Sequence, residues 1–528
     1  MVRPARWLSS GPPGGLPQVR VRSPVGNVLA HMPNPRLLRA LACRVRSCRR
    51  PGRLAHGVAA LSAGAVLACV IAAVPTHAAA PPPPDQRFVA TQLPDTAPAR
   101  QVAWLLEASA RLPIPEEEIR AHFTRSFLAL PGVSPADINR LLGSALDPAG
   151  ARLVGVSVDQ PDSIVAVIAG RGGRPLTLTF VVGRTGLVEY ATLQFTPSGP
   201  AVALPAPTGP AAVGTDTVQL VDRARAGRRL MLTRTYPAAP GAAEQPLAPY
   251  ASARLAIATG LPSVRATARL GARPRPGRLP VVLFSPGFGT PRVLYQALAE
   301  DLASHGYLVI AVDHTGEAPV ELPDGSVALP DDRIALPGAR SGSAERLIAA
   351  AAATRLADMR LILHRVAGLP SGPRADVRRV AAVGHSLGGS TAAALMRVEP
   401  GVRAGVDMDG SIIGPAERRG VDRPFLVMSG WRGLDPSLRH FLAHSRGPRL
   451  ALRFAGLEHL SFSDLPAIAP AAVGGRRAPS ARDIAPQRTY LRAFLDRFVR
   501  GRAAALLDGA SPRAPVHVAY RRDCCAGP

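Results

Sequence analysis

The chain has 528 residues, a formal charge of +26 and 4% aromatic residues, long enough for two or three domains and at least one large core. It contains no lysine, which excludes a Walker A phosphate loop, a Ser-x-x-Lys acylation site and a lysine Schiff base. The first 80 residues hold 11 arginines and no acidic residue, and no basic stripe is interleaved with stacking aromatics, so the charge does not imply a nucleic-acid partner.

Residues Gly57 to Val74 are apolar and Ala-rich, follow Arg44, Arg46, Arg49, Arg50 and Arg53, and precede Thr76-His77-Ala78-Ala79-Ala80. This order predicts a leader and signal peptide over residues 1–80, cleaved near Ala78 or Ala80, and a secreted or cell-envelope-associated protein. Left uncleaved, about 18 apolar residues could just span a bilayer. Cys43, Cys48 and Cys69 fall in the leader; Cys524 and Cys525 are neighbours in a polar tail. They build neither a disulfide framework nor a zinc site, and no metal is expected.

Residues 87–197 read as a smaller α+β domain. Helical periodicity appears at Val102, Leu105 and Leu106 and at Ile119, Phe123 and Phe127, and Ser134-Pro135 with Asp137 starts a further helix. Four strand-like runs follow, Leu153 to Val158, Ile164 to Ile168, Leu176 to Val182 and Val188 to Phe195, separated by turn signals such as Gly170-Arg171-Gly172-Gly173. Helices and then a meander imply a layered α+β unit, similar to the steroid-isomerase-like domains that precede the catalytic domain of some actinobacterial serine hydrolases. No paired acids and base for a separate activity are evident, which favours a binding or scaffolding role.

A Pro/Ala/Gly linker, residues 198–214, leads to the main domain, residues 215–505, followed by a tail, 506–528. Val218 to Asp222 and Arg229 to Tyr236 read as a hairpin. From Leu279, continuous apolar strands at Val281 to Phe284, Leu308 to Val312, Val380 to Val383, Gly405 to Met408, Phe425 to Met428 and Leu450 to Phe454 alternate with helical segments. This predicts a mostly parallel sheet covered by helices, the α/β-hydrolase fold. Thr315 to Ala344 is long for a strand-to-helix connection; it either borders the acyl pocket or is a surface insertion.

The strand ending Val383 breaks into Gly384-His385-Ser386-Leu387-Gly388-Gly389 and then a small-residue helix, the arrangement of a nucleophile elbow. A serine hydroxyl needs a histidine to take its proton and a carboxylate to orient that histidine, in the chain order Ser, acid, His. His459, after the last sheet strand, is the candidate base; His440 and His444, four apart in an Arg-rich helical stretch, read as surface residues. Asp409, ending the strand after the nucleophile helix, is the first candidate acid, Asp435 the alternative and Asp407 the third. Two backbone donors must face the oxyanion: Leu387, directly after the serine, and Phe288, in Ser285-Pro286-Gly287-Phe288-Gly289.

Three stretches carry a family resemblance: Phe284 to Gly289 with Leu302-Ala303-Ser304-His305-Gly306-Tyr307 and Ala311-Val312-Asp313-His314; Gly384 to Gly389; and Glu458-His459-Leu460-Ser461-Phe462-Ser463-Asp464. Over residues 215 to 505 the chain resembles the platelet-activating factor acetylhydrolase family, with secreted bacterial lipases and cutinase-like polyester hydrolases as neighbours. The resemblance implies cleavage of carboxylic esters of short-chain lipid or phospholipid type without a cofactor, an ester or lipid partner at the cell envelope or membrane surface, and an acid at the place of Asp409. The family's oxyanion loop usually begins His-Gly; here it is Pro286-Gly287, as in the polyester hydrolases. An acyltransferase using the same acyl-enzyme and a non-catalytic cell-envelope binding protein are the alternatives.

Overall fold

The computed structural model describes residues 88–128, 133–195, 201–330, 343–370, 372–470, 473, 481–508 and 516–522. The leader and signal-peptide expectation for residues 1–80, and Cys524 and Cys525, lie outside them. The chain divides into Met1–Val58 and Ala59–Pro528, and every described residue belongs to the second unit. Among the described residues no helix is long and apolar enough to cross a membrane.

Helices α1 (Ala97–Ala108), α2 (Glu116–His122) and α3 (Pro135–Ala145) precede strands β1 (Arg152–Asp159), β2 (Ser163–Ala169), β3 (Pro175–Val182) and β4 (Val188–Phe195), an antiparallel meander in that order. Ser134 and Asp137 form a capping box at the start of α3, satisfying amides that have no helical acceptor. β2 is buried on both faces, and its period-two alternation divides the work. Ile164, Ala166 and Ile168 pack with Val102, Leu105 and Ile119 of the helices. Val165 and Val167 instead join a core containing Leu255, Ile257, Ala258 and Leu261 of the main domain.

The large sheet has 12 strands among the described residues. β5 (Val202–Ala203), β6 (Val213–Asp222), β7 (Arg228–Pro237), β8 (Leu247–Pro249) and β9 (Val264–Leu270) form one flank, with α4 (Ala253–Thr259) between β8 and β9. The parallel centre runs β11 (Leu308–Asp313), β10 (Arg278–Ser285), β14 (Arg374–His385), β15 (Val402–Met408), β16 (Phe425–Ser429), β17 (Arg449–Phe454). A separate two-strand hairpin, β12 (Val320–Glu321) and β13 (Val327–Ala328), follows β11. Successive residues of β10 serve opposite cores. Val281 and Leu283 pack toward α6 (Ser343–Arg365) and α7 (Leu387–Val398), while Val282 and Phe284 pack toward α5 (Gln296–Ser304) and α9 (Ala481–Phe498). That two-sided burial is why these strands read as unbroken apolar runs.

Two expected boundaries differ. In the segment expected as a linker, β5 pairs with β9, Leu204 is buried, and Thr208 donates through N and Oγ1 to Asp301, both at 2.8 Å. A strand of two residues is too short for periodicity to reveal. In the segment expected as a tail, β18 (Val516–Arg522) pairs antiparallel with β17. Val516, buried in the core, anchors it.

The chain leaves β10 toward β11 on one side and later fills β14 to β17 on the other, so the topological switch lies between β10 and β14. In open α/β sheets such a crevice at the carboxyl ends of the strands is where ligands bind. Ser285 and Gly384 are direct neighbours across it.

Candidate active site

Ser386 occupies the turn from β14 into α7 with φ 56° and ψ −124°. A residue with a side chain persists in that sparsely populated region only when its surroundings over-determine it. Here the helix start is pressed onto the oxyanion loop so closely that a Cβ on Gly388 would lie 1.9 Å from the Ser285 carbonyl oxygen. The Ser386 amide donates to the Met408 carbonyl at 2.9 Å, tying the turn to the end of β15.

His459 reaches the turn from the loop after β17. A one-turn 3-10 helix, His459–Phe462, holds it, with the Glu458 amide donating to Ser461 Oγ at 3.0 Å. Its Nε2 is 3.0 Å from Ser386 Oγ, and its Nδ1 donates to Asp409 Oδ2 at 2.8 Å. Asp409 directly follows β15 and takes the left-handed region, φ 55°. Its amide donates to the Met428 carbonyl at 2.6 Å, and its other oxygen, Oδ1, accepts from the Gly430 amide at 2.6 Å. The carboxylate is thus fixed at both oxygens.

The structure brings Ser386, His459 and Asp409 together and leaves Asp435 apart. Asp435 caps α8 (Pro436–His444), accepting from the Leu438 amide and Ser437 Oγ, both at 2.8 Å, and from Ser411 Oγ. Capping the helix uses the carboxylate that the alternative assignment needed for His459. Asp407 is fully buried behind the elbow and accepts from the Gly410 amide; burial, then the charge of Asp409, push its carboxyl well above the usual carboxylate range. His440 and His444 meet edge to face on the exposed side of α8.

Leu387 opens α7, so its N–H is among the first helical amides, which no helical carbonyl can accept. The loop carrying Phe288 lies against the same helix start, through the contact of Gly388 with Ser285. Sequence reasoning missed a chain of buried groups that joins this loop to His459. The Gly287 amide donates to Tyr295 Oη at 3.1 Å, the Tyr295 hydroxyl is 2.8 Å from His385 Nδ1, and His385 Nε2 is 2.9 Å from the His459 carbonyl oxygen. The carbonyl can only accept, so Nε2 carries the proton and Nδ1 accepts from Tyr295. Burial, then the neighbouring His459, hold His385 well below the ordinary histidine range, keeping it in this neutral tautomer. His385 lies inside the motif that marks the nucleophile, but nothing in the pentapeptide indicates its partners. Among the described residues no cluster of three or more His, Cys, Asp or Glu could hold a metal ion.

Residues 241–321, which carry the oxyanion loop, match the family model for platelet-activating factor acetylhydrolase, isoform II. The solved structure of a ferulic acid esterase from Streptomyces cinnamoneus is 34% identical with a TM-score of 0.52, over 61% of this chain and all of that one. The chain belongs to the platelet-activating factor acetylhydrolase-like family of esterases. A further relative within this esterase family is a probable 1-alkyl-2-acetylglycerophosphocholine esterase of Arthroderma benhamiae, 27% identical over 267 residues. That match covers 45% of this chain and 65% of the length of the relative. Residues 93–188, outside the esterase part, match the model for the N-terminal region of the ORF 12 gene product.

Proposed function

We propose that this chain hydrolyses carboxylic esters through Ser386, His459 and Asp409, with the Phe288 and Leu387 amides receiving the oxyanion. The observation that carries the reading is the continuous hydrogen-bonded line from Ser386 Oγ through both nitrogens of His459 to Asp409, at 3.0 and 2.8 Å, at the switch point of the sheet. Ser386 Oγ attacks the ester carbonyl while His459 Nε2 takes its proton, and Asp409 stabilises the imidazolium so formed. The carbonyl oxygen becomes an oxyanion held by the two amides. As the tetrahedral intermediate collapses, His459 returns the proton to the leaving alcohol, and the acyl group remains on Ser386. Water, deprotonated by His459, then releases the acid and restores the serine.

The substrate class is a short acyl ester of a lipid or phospholipid alcohol, supported by the similarity to the fungal acetylglycerophosphocholine esterase. The similarity to a ferulic acid esterase supports a second reading, an aromatic acyl group. The charged leader and apolar stretch support export to the cell envelope or beyond. The test is hydrolysis of p-nitrophenyl esters from acetyl to palmitoyl beside methyl ferulate, by wild type and Ser386→Ala. A short-chain optimum lost in the variant supports the first reading, a preference for the ferulate supports the second, and activity undiminished in the variant refutes the mechanism.

A further inference from the structure

Arg355 is 1% exposed, in the middle of α6, and all five of its N–H donors are used. Nε and one Nη2 hydrogen go to the Glu317 carboxylate. The other three go to consecutive residues of one loop: Nη1 to Ser285 Oγ at 3.3 Å and the Pro286 carbonyl at 2.6 Å, and Nη2 to the Gly287 carbonyl at 3.1 Å. Behind it, Ser285 Oγ is 2.9 Å from His314 Nε2, His314 Nδ1 is 2.9 Å from Asp358, and Arg228 clamps Asp358 with two hydrogen bonds at 2.8 and 2.9 Å. Ser285, His314 and Asp358 repeat the wiring of the solvent-reaching trio, but sealed in the core, where no ester can reach.

The peptide unit is planar and trans, so its C=O and N–H point in opposite directions. The Gly287 carbonyl and the Phe288 N–H belong to one such unit. That carbonyl is held by Arg355 Nη2, by Thr290 Oγ1 at 2.8 Å and by the Thr290 amide at 3.2 Å. Fixing the oxygen fixes the direction of the N–H on the other side. We propose that Arg355 is a positioning residue for catalysis: by holding the Pro286 and Gly287 carbonyls it aims the Phe288 amide at the oxyanion, an inference that rests on the esterase reading above. A role in packing alone would not require a buried ion pair, since well-packed apolar side chains of similar volume often replace such pairs without loss of stability. Nor would it account for three donors falling on three successive residues of the loop. Lysine cannot substitute, because its three donors lack the planar fork.

Arg355→Lys and the charge-neutral double variant Arg355→Met/Glu317→Gln are compared with wild type, each checked for folding by near-UV circular dichroism. The readouts are kcat and KM for p-nitrophenyl acetate and the affinity for a trifluoromethyl ketone, which forms the tetrahedral adduct. An oxyanion donor acts mainly in the transition state, so kcat falls by roughly 10- to 100-fold with KM changed by less than about threefold. Affinity for the ketone falls in parallel. A folded variant with kcat within about twofold of wild type, or with lost activity but unchanged ketone affinity, overturns the inference. Wild type that hydrolyses no ester and is not labelled at Ser386 by a fluorophosphonate overturns the esterase reading, and this inference with it.

Discussion

His385 Nε2 donates to the main-chain oxygen of His459 at 2.9 Å, so the residue before the proposed nucleophile carries the residue proposed to activate it. The distance between Ser386 and His459 is therefore set by more than the path of two separate loops. With Tyr295 on its other nitrogen, His385 also connects His459 to the Gly287 amide. The base and the oxyanion loop are braced against one buried imidazole.

Tyr295→Phe tests this brace. It removes the donor to His385 Nδ1 and the acceptor for the Gly287 amide, leaving two buried polar groups unpaired. Stability should fall by about 1–3 kcal/mol, read by denaturant unfolding. The kcat for p-nitrophenyl acetate should fall about tenfold. Unchanged kcat with reduced stability would assign Tyr295 to folding alone.

The choice of acid is tested by a pair of variants. Asp409→Asn leaves His459 without its carboxylate and should lower kcat by about 10⁴-fold. Asp435→Ala removes the cap of α8, should cost about 1 kcal/mol of stability, and should leave kcat/KM near wild type. The reverse pattern in steady-state kinetics would transfer the role to Asp435.

Asp464 gives a pH-dependent prediction. It is buried, accepts from Tyr250 Oη at 3.0 Å and from the Ala297 amide at 3.3 Å, and burial pushes its carboxyl up to about 7. An unfolded aspartate titrates near 3.9, so between about 4 and 7 the native state holds more protons than the unfolded one. Its contribution is fully present below that window and is lost as pH rises through it. Asp464→Asn lacks this titration. Its melting temperature minus that of wild type should therefore increase between pH 5 and pH 8; a difference that stays constant or decreases over that range refutes the assignment.

The seat of the first domain is also testable. A chain beginning at residue 201 lacks Val158, Val165 and Val167, which cover Leu255, Ile257, Ala258 and Leu261. It should melt several degrees lower and bind a hydrophobic dye, because the apolar patch becomes solvent-exposed. Equal melting temperatures would show that the interface contributes no stability.

The sheet was legible because its central strands are buried on both sides, and Val281 to Phe284 or Phe425 to Met428 can hardly be read otherwise. Ser386 was marked by its pentapeptide, and His459 by its place after β17. The acid was harder, because Asp409 and Asp435 both follow strands of the same layer. What separates them is a left-handed backbone at Asp409, which leaves no compositional mark, and a helix cap at Asp435, signalled in the sequence by the Pro436 that follows it. Arg355 was hidden for a different reason. In an Ala-rich helix it reads as an ordinary surface cation, and its carboxylate partner Glu317 lies 38 residues away in sequence, across a long connection.

β18 has one consequence beyond the fold. Without it β17 would end the sheet, and its row of unpaired amides and carbonyls would offer a template for a second chain. With it, the outermost strand among the described residues carries Arg521 and Arg522 at its end, and charged side chains on an edge oppose strand addition. Seven residues near the end of the sequence thus bear on whether these molecules stay separate in solution, a property that neither the active site nor the two cores determines.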